Sequence, residues 1–363
     1  MAKFLFIVQG EGRGHLTQAI ALQAILKEAQ HEVVAVLVGK SHRKIPTFFE
    51  EQITAPIHYF ESPNFVKDKD NRKILIGKTI LYNTSKLKTF LKSLSELNRY
   101  YKTYQPDVII NFYDFLAGFY NIFHKNPIPM AVVGHQYFLE HPQFEFPKNH
   151  LVDKFLLRQN TKITCVGAKI KLALSFAPYL QDYKNILVVP PLLRKEVLSL
   201  QPEKQDFILC YVNNDGYGND IIAWHKQNSQ VRLECFWDRK NAPEVEKYHE
   251  NLIFHQISDT KFLEKMRTCK AFVSTAGFES VCEAMYLGKP VMMIPVEGQF
   301  EQSCNALDAQ KAGAGIMSQD FNISKLLDYI PKHKSENQMA QWVQKAPEMF
   351  VENLEKLVKK SER

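Results

Sequence analysis

The chain has 363 residues, is 45% hydrophobic and 23% charged, and holds only 15 Gly and 17 Pro. That balance excludes a disordered, collagen-like or low-complexity polypeptide, and the length points to two folded units. The net charge of +7 is uneven: residues 1–190 carry 24 Lys+Arg against 15 Asp+Glu, and residues 191–363 carry 22 against 24.

No zinc-finger spacing or basic-aromatic repeat accompanies the positive half, so nucleic acid is not an expected partner. An anionic ligand or an anionic membrane surface fits the charge at least as well. No apolar run approaches the roughly 18 to 20 residues that span a bilayer. The opening MAKFLFIVQGEGRGH ends in glycines without a signal-peptide cleavage pattern and reads as a buried strand. Cys165, Cys210, Cys235, Cys269, Cys282 and Cys304 lack paired metal spacing and sit mostly in apolar runs, as reduced core residues of a cytoplasmic protein do.

Short apolar runs alternate with segments of helical period along the chain, a pattern that calls for parallel strands with crossover helices. Strands are expected at 3–9, 32–38, 57–60, 107–111, 129–133, 163–166 and 186–189, with helices at 16–29, 83–104 and 115–124. Val188–Arg194 (VVPPLLR) reads as a linker. Strands near 207–212, 231–236, 252–254, 271–274 and 291–294 and helices near 217–228, 259–268 and 278–287 form a second series, and an amphipathic helix near 336–360 ends the chain. The expected fold is therefore α/β, with two doubly wound, Rossmann-like parallel-sheet domains facing across a cleft. The units are residues 1–192 and 193–335, with 336–363 as a helix packing back toward the first.

In such sheets ligands bind beyond the carboxyl ends of the strands, so motifs there carry most weight. The first strand runs into Gly10-Glu11-Gly12-Arg13-Gly14-His15. Glycines let the backbone approach a ligand and a helix start favours an anion, although a plain chain reversal needs glycines too. The G-x-G-x-G spacing misses the dinucleotide fingerprint and no acid ends the second strand, which disfavours a nicotinamide enzyme. Gly39-Lys40-Ser41 and Gly77-Lys78-Thr79 lack the earlier glycine of a P-loop, and Asp68-Lys69-Asp70 lies in a lysine-rich polar stretch unsuited to a metal.

A second loop, Ser274-Thr275-Ala276-Gly277-Phe278-Glu279-Ser280-Val281-Cys282-Glu283, follows an apolar strand. Its small residues leave room for a diphosphate, and a carboxylate at Glu283, on the face shared with Ser280, can accept both hydroxyls of a ribose. An N-cap with a surface glutamate is the plainer alternative. The third, Pro295-Val296-Glu297-Gly298-Gln299-Phe300-Glu301-Gln302-Ser303-Cys304-Asn305-Ala306, offers the directional donors and acceptors that sugar hydroxyls require, or else is an exposed polar loop.

These motifs, and above all STAGFESVCEAMYLGKP with EGQFEQSCNA, resemble the GT-B glycosyltransferases, in particular the branch of the peptidoglycan enzyme that adds N-acetylglucosamine to an undecaprenyl-linked acceptor. The resemblance runs over nearly the whole chain. It implies a UDP-sugar as co-substrate, with no other cofactor and no metal, bound to the C-terminal domain, and an acceptor bound to the N-terminal one. Within it Glu283 holds the ribose, while Gly14, Thr275, Ala276, Gly277 and Ser280 belong to the diphosphate-facing loops. Glu301 and Gln302 contact the donor sugar, Arg194 meets the diphosphate, and the main chain at Ile257 reads the base. Glu301 departs from the glutamine of the related enzyme, and Asn213-Asn214-Asp215-Gly216-Tyr217-Gly218 is an altered form of its glycine-rich loop. Retaining members carry two glutamates separated by seven residues here; the position in question is Thr275, so inversion is expected.

Inversion needs a general base. His15 stands at a strand end facing the cleft, with an unperturbed pKa near 6.5, and Asp114, closing strand 107–111, is expected to support its far ring nitrogen. A histidine that binds phosphate and an aspartate that caps a helix are the alternatives. His135 and Glu140 are second-choice bases. Residues 62–104 hold ten Lys+Arg against three acids among apolar segments, suiting contact with anionic lipid at the inner face of the cell membrane, or an ordinary solvated helix face. A nucleotide-sugar 2-epimerase and a non-catalytic sugar-nucleotide-binding protein share the expected architecture and stay open.

Overall fold

A computed structural model describes residues 1–40, 45–63, 76–124, 126–178, 181–212, 216–239, 242–334 and 338–361. Two seven-stranded sheets organise them. The first contains β1 (Lys3–Gln9), β2 (Glu32–Lys40), β3 (Ile57–Glu61), β4 (Val108–Phe112), β5 (Met130–Gly134), β6 (Ala168–Leu174) and β7 (Ile186–Val189) in the order β3-β2-β1-β4-β5-β6-β7, every pair parallel. The second contains β8 (Ile208–Val212), β9 (Leu233–Trp237), β10 (Val245–His249), β11 (Leu252–Gln256), β12 (Ala271–Ser274), β13 (Val291–Met293) and β14 (Gly315–Met317) in the order β10-β11-β9-β8-β12-β13-β14, parallel except for β10. Runs such as Phe4–Val8 and Val108–Phe112 are fully buried because helices cover both faces of a parallel sheet.

The order of each sheet reverses at one place, between β1 and β4 in the first and between β8 and β12 in the second. At such a switch point the connections leave toward opposite faces and open a crevice. Two non-glycine residues with left-handed backbone stand at these crevices, Tyr113 (φ 62°) after β4 and Ala276 (φ 58°) after β12. Strained backbone of this kind persists only where its surroundings over-determine it.

One apolar core runs without a break from the first sheet to one face of the second. Alternate residues of β8 show the division: Leu209 belongs to this shared core, whereas Ile208, Cys210 and Val212 face a separate cluster behind the second sheet. All six cysteines are buried and free.

Three expectations need correction. Residues 163–166 are not a strand: Ile163 and Thr164 end the helix Leu151–Thr164, and β6 begins after Gly167, whose φ of +78° ends the helical turn as glycine commonly does. The expected loop at 300–306 is the start of the helix Phe300–Lys311. The C-terminal segment is two helices, Gln338–Val343 and Ala346–Ser361, since Pro347 has no amide proton to continue the first into the second. The second of these lies against β4, β7 and the helix Arg13–Glu28, with His31 Nε2 3.2 Å from Glu355 Oε1. Trp342 Nε1 donates to the Ser175 carbonyl at 3.1 Å. The D-x-D at 68–70 and the loop at 213–215 lie outside the described residues.

The last helix secures its seat with Phe350, Leu354 and Leu357, and Phe350 is fully buried. Phe350→Ala is expected to cost about 3–5 kcal/mol in a urea titration, the range for emptying a buried aromatic site. A loss under ~1 kcal/mol would show that this helix does not hold the first sheet.

Candidate active site

The two switch points face each other across a cavity of about 280 Å³. From the first sheet, β1 ends in the glycine turn and leads into the helix Arg13–Glu28; from the second, β12 leads into the helix Phe278–Tyr286. Both helices start at a glycine, Gly12 and Gly277, with no side chain capping the first amides. Uncapped amides and the positive dipole ends of two helices thus meet at one cleft, an arrangement that favours an anion.

Packing explains part of the glycine turn. A Cβ on Gly10 would stand 2.3 Å from the Gly39 carbonyl oxygen, and one on Gly14 would stand 3.0 Å from Glu279 Cγ. Gly10 lets two strand ends touch, and Gly14 lets the second domain approach the first.

Gly14, His15, Arg194, Ile257, Gly277, Ser280, Glu283, Glu301 and Gln302 all line the cavity, as expected residues brought together from both domains. Thr275 and Ala276 are buried in the same turn without lining it, and the Ala276 carbonyl accepts from Asn305 Nδ2 at 3.2 Å. Arg194, 3% exposed, spans two carboxyls: Nη1 donates to Asp259 Oδ2 at 2.7 Å and Nη2 to Glu283 Oε1 at 3.3 Å, with the Phe48 ring 5.3 Å from the guanidinium carbon. Burial raises the Glu283 carboxyl above its ordinary range, and Arg194 offsets part of that rise. The arginine therefore orients Glu283 as well as facing the cleft. Gln302 Oε1 accepts from Val296 N at 2.8 Å, fixing the turn before its helix.

His15 is buried and its ring stacks on Tyr113, with centroids 5.7 Å apart and planes at 17°. Burial pushes its imidazole down to about 4, only partly offset by Gln18, so it is neutral at physiological pH and able to take a proton. The expected pairing with Asp114 is not made. Asp114 Oδ1 accepts from Leu116 N at 2.8 Å and Ser62 Oγ at 3.1 Å, capping the helix Phe115–Phe123, and Oδ2 has no partner among the described residues. Fully buried under Gly39, the carboxyl is raised to about 7 by desolvation. The neighbour of His15 is Gln18: Nδ1 lies 3.2 Å from Gln18 Oε1.

Of the second-choice bases, His135 lines the cavity, its ring stacked 4.4 Å from Phe278 and its Nδ1 2.8 Å from the Leu174 carbonyl. Glu140 is taken by Lys171. Sequence reasoning gave no role to Gln18, Phe48, Gln136, Asp259, Phe262 or Glu279, which also line the cleft. Three of them join the domains: Gln18 Nε2 donates to Glu279 Oε1 at 2.5 Å, and Gln136 Nε2 donates to Glu301 Oε1 at 2.9 Å. The acidic residue in the first turn after Gly277 was the signal available for Glu279, because a carboxyl beside helix amides invites a contact.

The sequence profile described as Glycosyl transferase family 1 matches residues 2–332. An uncharacterized glycosyltransferase of Methanosarcina acetivorans is 22% identical over 343 residues, covering 87% of this chain and 85% of that one. The Thermotoga neapolitana UDP-N-acetylglucosamine–N-acetylmuramyl-(pentapeptide) pyrophosphoryl-undecaprenol N-acetylglucosamine transferase is 26% identical over 254 residues, 67% of each chain. The solved structure of Phytolacca americana UGT2 with UDP-2-fluoro-glucose and pterostilbene superposes with a TM-score of 0.62 at 15% identity, over 100% of both chains, and shares the GT-B fold. With a profile match over most of its length and two facing Rossmann-like domains, the chain belongs to glycosyl transferase family 1.

Proposed function

We propose that this glycosyltransferase moves a sugar from a UDP-sugar to an acceptor hydroxyl with inversion, without a metal, and that it sits nearest the branch acting on lipid-linked acceptors. The observation that carries this reading is the meeting, in one cleft, of a neutral imidazole from the first sheet with Glu283, Ser280 and an uncapped helix start from the second. Glu283, steadied by Arg194, takes the ribose hydroxyls; the turn at Gly277 and Ser280 takes the diphosphate; Ile257 borders the base; Glu301 and Gln302 border the sugar.

In the transfer, His15 removes the acceptor's hydroxyl proton as that oxygen bonds the anomeric carbon. The carbon–oxygen bond to the diphosphate breaks on the opposite face, and its electron pair leaves with the nucleoside diphosphate. Helix amides stabilise the charge that develops there. Acceptor supply from an anionic membrane is part of the proposal: Leu81 is exposed on the helix Ile76–Ser85, and Leu87 and Leu91 are exposed on the helix Leu87–Tyr104, which also carries Lys88 and Lys92. No helix among the described residues is long and apolar enough to cross a membrane.

His15→Ala should lower kcat by about 10² or more, the scale for losing a general base, with UDP affinity by calorimetry unchanged; full turnover would remove His15 from the role. Glu283→Ala should instead weaken UDP binding. Conversion of UDP-N-acetylglucosamine without any acceptor would favour the epimerase, and UDP binding without turnover a non-catalytic role. The acidic limb of kcat/KM is expected near pH 4, where His15 becomes protonated. Asp114→Asn keeps the helix cap and should cost under about tenfold, against the ~10⁴ lost when a catalytic histidine's carboxylate partner becomes an amide. A loss near the larger figure would restore Asp114 as the partner of His15.

A further inference from the structure

We propose that Gln18 is the positioning residue of the base, and that Glu279 from the opposite domain holds Gln18 in place, so that a contact between the two domains leaves His15 with a proton-accepting Nε2. The inference rests on His15 being the base. Gln18 follows His15 by one helical turn and is 3% exposed. Its amide nitrogen is committed to Glu279 Oε1 at 2.5 Å, which turns the amide oxygen toward His15 Nδ1 at 3.2 Å. An amide oxygen only accepts, so Nδ1 must carry the imidazole's single proton, and the lone pair is left on Nε2.

The approach of Glu279 is built into the glycine turn, since any side chain at Gly14 would meet Glu279 Cγ. Around the imidazole stand the Tyr113 ring on one face, Gln18 at Nδ1 and Glu279 behind Gln18; Asp114 is engaged with Leu116 and Ser62. A neutral amide fixes the tautomer while stabilising the imidazolium less than a carboxylate would. The proton taken from the acceptor at Nε2 is therefore held loosely and passes on to solvent once the product leaves. Because Glu279 opens the same helix that bears Glu283, the contact that sets the tautomer belongs to the element that grips the donor.

The test uses the full-length chain labelled with ¹⁵N-histidine, without substrates, and two-bond proton–nitrogen spectra in which His15 is assigned by its loss in His15→Ala. Near neutral pH the wild type should show His15 protonated at Nδ1. Gln18→Met should shift it to Nε2 protonation or a mixture, with kcat lowered about 10- to 100-fold and the donor KM nearly unchanged. Gln18→Glu should keep the Nδ1 proton and move the acidic limb of the pH–rate profile upward, because a carboxylate there favours the imidazolium. Glu279→Leu should loosen the tautomer, and Glu279→Gln, which keeps an acceptor for the Gln18 amide, should restore it. A wild-type His15 protonated at Nε2 overturns the proposal even if every variant fails to fold, and so does an unchanged tautomer in Gln18→Met. The spectra need no turnover, so a protein with the stated tautomer and no transfer of any sugar would refute the transferase reading and leave this geometry standing.

Discussion

Two hydrogen bonds between glutamine amides of one domain and partly buried carboxyls of the other cross the cleft, and the site depends on them. Gln18 with Glu279 and Gln136 with Glu301 bring the base-bearing turn over the donor-facing helices. Burial raises both carboxyls above their ordinary range, Glu279 to about 8, so near neutral pH the contact of Gln18 with Glu279 is between largely uncharged groups. A neutral pair avoids the desolvation that a buried ion pair incurs, and each such bond contributes only about 0.5–1.5 kcal/mol. The apolar floor beneath them, including Phe278 packed on His135 and Phe176, is shared by both sheets.

The same geometry explains why the chemistry divides between the sheets. Each switch point delivers one uncapped helix start, and the two meet at one cavity, so the helix amides that favour an anion come from both halves of the chain. The excess of basic residues in the first half and the slight acidic excess of the second therefore do not report the local potential of the site. Helix amides and Arg194 do so, and Arg194 is itself spanned between Asp259 and Glu283.

The architecture was legible in the sequence because buried parallel strands are continuous apolar runs, and β1, β4, β7 and β12 fall within a residue of their expected places. The short edge strands β10 and β14 were not, since Val245–His249 is largely exposed and polar and Gly315–Met317 has only three residues. The misplaced strand at 163–166 shows the usual ambiguity of a short apolar run, which Gly167 resolves in favour of a helix end. At the site, residues carried by strand-end motifs were found, because glycine turns and small-residue loops mark strand ends in one dimension. Gln18 and Glu279 were missed for a physical reason: they lie 261 positions apart, and only the packing of two sheets brings them into contact. Asp114 was assigned by its place at a strand end, which a helix cap and a catalytic acid occupy equally well.

The central claim is that the second domain holds a nucleotide-sugar in register with His15. A thermal-shift panel of nucleotides and nucleotide-sugars on the intact protein tests it most directly. Binding at about a hundredfold over Kd stabilises the native state by about 2.7 kcal/mol, a rise of several degrees in Tm. The account predicts that rise for UDP and at least one UDP-sugar, and its loss in the Glu283→Ala protein. A Tm that no nucleotide or nucleotide-sugar moves would contradict it.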